Sequence, residues 1–168
     1  MAERASDYLS PEDLAEARRV GLARYASATT QKRSQPFGDP GDDQRKFIDC
    51  YSALAECAVA NWLDLPWRNE LVDDLTTKPP DVGNRLEVRW TKYPLGFLIG
   101  HDSDVDDWMA VCVRGPLPDM EIKGWTTTRA LKQAKYRENP LARSPLDYWM
   151  PASDLYSTEM LYQMRAAL

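Results

Sequence analysis

Pro80-Asp81-Val82-Gly83-Asn84-Arg85-Leu86-Glu87-Val88-Arg89 says more about fold and chemistry than any other part of this chain. From Arg85 to Lys92 apolar and polar residues alternate, the pattern of a strand with one buried face. Leu86, Val88 and Trp90 then point into a core, while Glu87 and Arg89 share the other face. Gly83-Asn84 reads as a two-residue hairpin turn, because glycine accepts positive φ without steric cost. Such a turn folds Asp81 back beside Glu87. Two carboxylates and one cation then occupy a single patch, the least that can hold a divalent metal and a phosphate.

Helical signals lie upstream. Ser10-Pro11-Glu12-Asp13 has a serine at the N-cap, proline at the first helical position and acids in the first turn. A helix is predicted from there to about Lys32, followed by a Gly/Pro/Asp-rich loop from Ser34 to Asp43. Phe47, Tyr51, Leu54, Ala55, Ala58, Val59 and Trp62 form a helical stripe within a second helix, residues 42–63, ended by Leu65-Pro66. Downstream the period changes. Strands are predicted at 85–92, 95–100, 108–114 and 120–125, with Trp108–Arg114 apolar enough to be central. A short helix over 128–136, an irregular stretch over 137–146, an edge strand at Tyr148-Trp149-Met150 and a terminal helical region over 154–168 complete the chain. Helices, then strands, then helices imply an α+β fold: a central mixed β-sheet flanked by helices, with an N-terminal helical segment. Residues 1–40 read as that extension and residues 41–168 as the core.

Composition narrows the classes. At 168 residues and 43% hydrophobic, with six tryptophans and eight tyrosines, the chain has enough apolar material for one folded domain. No apolar run reaches the length of a membrane span, and no secretory leader is seen, so a cytoplasmic location is expected. Cys50, Cys57 and Cys112 form no CxxC pair and read as reduced core thiols. His101 is the only histidine, which excludes a multi-histidine zinc site. No nucleophilic triad and no phosphate-binding glycine loop is present. His101-Asp102-Ser103-Asp104-Val105-Asp106-Asp107 lacks the glycine and distal glutamate of a calcium loop and reads as a solvated turn.

Glu56 is the only charged residue in Ser52–Ala60, a run of small side chains that packs closely on nearly every face. A carboxylate there is costly unless a cation, metal or donor meets it. Two readings follow: a solvated flank, or an acid aimed at the Asp81/Glu87 patch. For Asp81 and Glu87 themselves the plain alternative is a turn aspartate and a surface salt bridge to Arg85 or Arg89.

Taken in order, Glu56 with its small neighbours, Trp62-Leu63-Asp64-Leu65-Pro66-Trp67, the Pro80–Arg89 stretch, Lys123-Gly124-Trp125 before a short helix, and Tyr148–Leu155 resemble the PD-(D/E)XK nuclease superfamily. They look most like small phage-encoded proteins of that type. The resemblance covers roughly residues 46–155. It implies a restriction-endonuclease-like sheet and hydrolysis of phosphodiester bonds in DNA. It implies Mg²⁺ or Mn²⁺ held by Asp81 and Glu87, the Val88 carbonyl as a further ligand, and Glu56 acting directly or through water. The superfamily's usual lysine is Arg89 here. Arginine stays protonated, so it can hold a phosphate oxygen but cannot serve as a base. A host-cytoplasmic or virion-associated protein is implied, with a homodimer or a phage protein as further partner.

Lys123, Arg129, Lys132 and Lys135 lie on or beside the short helix and could form a strip along a nucleic-acid backbone, or simply a solvated basic face. Net charge is −5, which disfavours general coating of nucleic acid. Trp125 and Trp149 read as core residues. Two other classes stay open: a non-catalytic nucleic-acid-binding protein in which Asp81, Glu87 and Arg89 are a structural ion-pair network, and a virion accessory protein.

Overall fold

A computed structural model describes residues 3–30, 41–70, 79–137 and 147–168. Helix α1 spans Pro11–Thr30 and α2 spans Asp42–Leu63. Strands are β1 (Glu3–Arg4), β2 (Leu86–Thr91), β3 (Leu98–Gly100), β4 (Met109–Arg114), β5 (Glu121–Thr127) and β6 (Tyr148–Met150). Two short helices, α3 (Thr128–Leu131) and α4 (Thr158–Met164), follow the strands they pack on. The fold is α+β, with a mixed sheet flanked by helices. The stretches predicted for 31–40 and 138–146 lie outside the described residues.

Local chemistry explains the helix ends. Asp13 accepts from the Ser10 N–H at 2.9 Å while the Ser10 hydroxyl accepts from the Asp13 N–H at 3.1 Å, a reciprocal cap one turn before the apolar run. At the C-terminal end of α2, Asp64 adopts the left-handed conformation at φ 55°, and Leu65 N–H reaches back to the Ala60 carbonyl. Pro66 then forbids continuation.

The main sheet has the order β1-β5-β4-β2, with β2 parallel to β4 and the other pairs antiparallel. A separate ribbon pairs β3 with β6. Strand β4 is buried throughout because both its faces are covered. Met109, Val111 and Val113 enter the larger core with α1 and α2, while Ala110 and Cys112 enter a smaller core with Leu98, Leu131, Tyr136, Tyr148 and Met150. That two-sided burial is why β4 reads as a continuous apolar run.

Helix α2 lies between α1 and the sheet. Its small residues permit this, and so does Gly21 on α1, where an added Cβ would stand 2.6 Å from the Cys50 backbone nitrogen. Ala17 and Val20 belong to the same core as Leu86 and Val111, so α1 is built into it. β1 and the following 3-10 turn (Ala5–Tyr8), which the sequence pattern did not signal, add a short edge to β5.

Three predicted elements differ in extent. The strand expected from Leu95 begins only at Leu98. The helix expected over 128–136 is a single α turn, then a 3-10 turn at Ala134–Tyr136. The terminal region carries α4 only from Thr158, with a 3-10 turn behind it. Among the described residues no helix is long and apolar enough to cross a membrane.

Candidate functional site

The hairpin at the start of β2 is real but longer than two residues. Val82 and Leu86 exchange both backbone bonds, at 3.1 and 3.2 Å, around a Gly83-Asn84-Arg85 loop. Gly83 sits at φ +57°, which only glycine adopts freely. Its N–H donates to the Pro66 carbonyl and that of Asn84 to the Leu168 carbonyl, so the loop is tied to both ends of its surroundings.

This hairpin returns Asp81 to the strand. Its Oδ2 accepts the Val88 N–H at 2.9 Å. Alternation along β2 sends Leu86 and Val88 to the α2 side and Glu87 and Arg89 to the opposite face, beside Ala110 and Cys112 of β4. There Arg89 Nη2 lies 3.2 Å from Glu87 and 2.7 Å from Asp104. Arg89 Nε is buried with no hydrogen-bond partner. Glu87, Asp104 and Asp81 together hold the Arg89 guanidinium charged, against the cost of its burial.

Glu56 answers the question its sequence posed: it is 4% exposed, not on a solvated flank. Two Arg24 nitrogens donate to its two oxygens at 2.7 Å each, and Trp67 Nε1 donates at 3.1 Å. Burial and the charge of Asp81 push its carboxyl up to about 7, with Arg24 and Trp67 pulling the other way. Helix α2 lies on the Leu86/Val88 side of the sheet, so Glu56 and Glu87 belong to opposite faces. Asp81, at the hairpin between them, acts electrostatically on Glu56, Arg24 and Arg89.

The four proposed backbone-contacting cations are spread among acids. Lys123 pairs with Glu121, Arg129 with Asp107 and Lys135 with Asp154. Lys132 reaches into the 101–107 loop, where the carbonyls of Asp102 and Asp104 and the Asp106 carboxylate converge on its ammonium. That loop is organised by these contacts, which makes it more than a solvated turn. The thiols are inert: burial raises all three, Cys57 to about 12.

Among the described residues no three histidine, cysteine or carboxylate side chains converge as a metal cage. The two-sided placement of Glu56 and Glu87 explains this. Asp81 and Glu87 remain as oxygen donors of the kind a hard cation takes. Mg²⁺ is commonly bound by one or two carboxylates, with waters and substrate phosphate completing its shell.

Pattern reading did not pair Arg24 or Trp67 with Glu56, nor Asp104 with Arg89. Arg24 stands 32 residues before Glu56, and Asp104 lies 15 beyond Arg89. A lone acid in an alanine-rich helix was the one signal that a cation had to be found. No family model, curated protein or solved structure matches this chain.

Proposed function

We propose that this protein is a metal-dependent phosphodiesterase acting on DNA, of the kind phages encode, with Asp81, Glu87 and Arg89 at its reacting centre. The observation that supports it most is the hairpin. It brings one buried aspartate back to a strand that carries a buried glutamate and a half-exposed arginine on a single face. Asp81 and Glu87 would hold Mg²⁺ or Mn²⁺, with the Val88 carbonyl as a further oxygen. When bound, the metal supplies Lewis-acid polarisation of the phosphate and lowers the pKa of a bound water.

The chain's own residues do the rest. Arg89 has an unused buried Nε–H and shares its Nη2 between two acids, so it can turn part of its fork to a phosphate oxygen. Glu56 is held by Arg24 and Trp67. Its part is to fix α2 against α1. Arg129 and Lys135 are exposed and can exchange a surface acid for phosphate, whereas Lys132 is committed to the 101–107 loop.

A second reading is favoured by a specific feature: Glu56 and Glu87 already have arginine partners, as in a structural network on a nucleic-acid-binding or virion protein. One experiment separates the two. Supercoiled, linear and branched DNA are incubated with the purified protein and Mn²⁺, beside Glu87→Ala. Cleavage that falls at least about 100-fold in the variant supports the enzyme. No cleavage of any substrate, together with no Mn²⁺ binding, supports the network.

A further inference from the structure

Arg89 leaves a gap in the chemistry. It can stabilise charge, but it stays protonated and cannot accept a proton from an attacking water. A proton carrier linked to Arg89 through Asp104 is the chain's single histidine. His101 Nδ1 stands 2.7 Å from Asp147 Oδ1. Asp147 is 5% exposed, and its Oδ2 is buried without a hydrogen-bond partner. A carboxylate only accepts, so the hydrogen of this contact is on Nδ1, which leaves Nε2 as the working nitrogen of the neutral ring. The His101 side chain is 33% exposed.

The same histidine is tied to the proposed site through one carboxylate. Asp104 Oδ2 accepts the His101 backbone N–H at 2.9 Å while its Oδ1 accepts from Arg89 Nη2 at 2.7 Å. Lys132 clamps the carbonyls on either side of Ser103, and Arg137 with Tyr148 holds Asp102, so the loop has little freedom to drift from Arg89. The charged groups around the ring are therefore Asp147 from the β6 side, Asp104 and Asp102 on the loop, Lys132 after α3 and Arg137 beyond it.

We propose that His101, oriented by Asp147, accepts the proton of the attacking water at the rim of the Asp81/Glu87/Arg89 site. This rests on the phosphodiesterase reading. The water oxygen forms the new P–O bond as its proton passes to His101 Nε2. The P–O bond to the leaving oxygen breaks with its electron pair, and that oxygen is protonated from solvent. Asp147 is a positioning residue: it keeps the ring hydrogen on Nδ1 and stabilises the imidazolium.

The test has two arms. In the first, supercoiled plasmid and Mn²⁺ are given to wild type, Glu87→Ala, His101→Gln and Asp147→Asn. His101→Gln should lose about 100-fold or more in kcat with KM little changed, and the shape of the pH–rate profile should change. In the second, without metal, ¹⁵N-NMR of the single histidine should show hydrogen on Nδ1 in the wild type and a loss of that preference in Asp147→Asn. The wild-type spectrum decides the tautomer even if a variant does not fold. If wild type cuts, Glu87→Ala does not, and folded His101→Gln cuts at the wild-type rate, this proposal alone fails. A neutral ring with hydrogen on Nε2 overturns it as well. If neither wild type nor Glu87→Ala cuts, the phosphodiesterase reading fails and takes this proposal with it.

Discussion

Two arginine–carboxylate contacts lie on opposite faces of the sheet, and they are built differently. Between α1 and α2, Arg24 meets Glu56 with both nitrogens on both oxygens, and Trp67 closes the remaining side. On the far face of β2, Arg89 divides one nitrogen between Glu87 and Asp104 and leaves its Nε unused. In the first contact three donors close the Glu56 carboxylate, so a ligand has nothing to gain from that acid. The second leaves one buried Arg89 donor without a partner, although the two arginine side chains are equally exposed, at 27%. The difference teaches that saturation, more than charge, separates an ion pair that holds a fold from one that can serve chemistry.

The sharpest way to break this comparison is Arg24→Met. It leaves a buried carboxylate without its cation, so unfolding stability should drop by about 3–5 kcal/mol in a urea titration. A drop below about 1 kcal/mol would put Arg24 in the same class as a surface pair.

The pH dependence comes next. The folded chain holds the Glu56 proton more tightly than the unfolded chain, because its carboxyl is raised from 4.5 to about 7. Between those values the folded state binds more protons. The contribution is therefore complete below the lower value and lost as pH rises through the upper one. In metal-free buffer the urea midpoint should fall over that window, and Glu56→Gln should flatten the slope. A wild-type midpoint that rises instead would mean that Arg24 outweighs burial and Asp81.

On the other face Arg89→Lys should keep the fold but reduce cleavage by at least about tenfold, since an ammonium cannot present a planar fork to phosphate. Equal rates would reduce Arg89 to a point charge. The smallest effect belongs to Arg129→Ala. Its pair with Asp107 is exposed on both sides, so no measurable loss of stability should follow, and only a salt-sensitive weakening of DNA binding would reveal a role.

Much of the scaffold was legible. Residues 42–63 form a helix over the predicted range because the apolar stripe, the Leu65-Pro66 stop and the absence of internal breakers agree. The β2 and β4 ranges differ from expectation by a residue or two. The 128–136 helix broke because only its first turn is anchored: the Thr127 hydroxyl accepts the Ala130 N–H, and a 3-10 turn then lets Tyr136 reach Asp154. β1 was illegible, since two residues carry no period. In the candidate site Asp81, Glu87 and Arg89 were found from alternation and a turn. His101 was noticed as the single histidine and as part of an acidic turn, not as a site residue, because Asp147 lies 46 residues away.

By itself the sequence determined that residues 42–63 are helix and that β2 and β4 are strands, that Glu87 and Arg89 share a face, and that Glu56 needed a partner. Those facts rest on local periodicity and on the cost of burying charge, which hold wherever the elements end up. Only the tertiary structure decided that the partner is Arg24, that Glu56 and Glu87 stand on opposite sides of one sheet, and that Asp104 joins Arg89 to His101. Partnerships across 15 to 46 residues depend on how helices and strands stack, and no local pattern encodes that geometry.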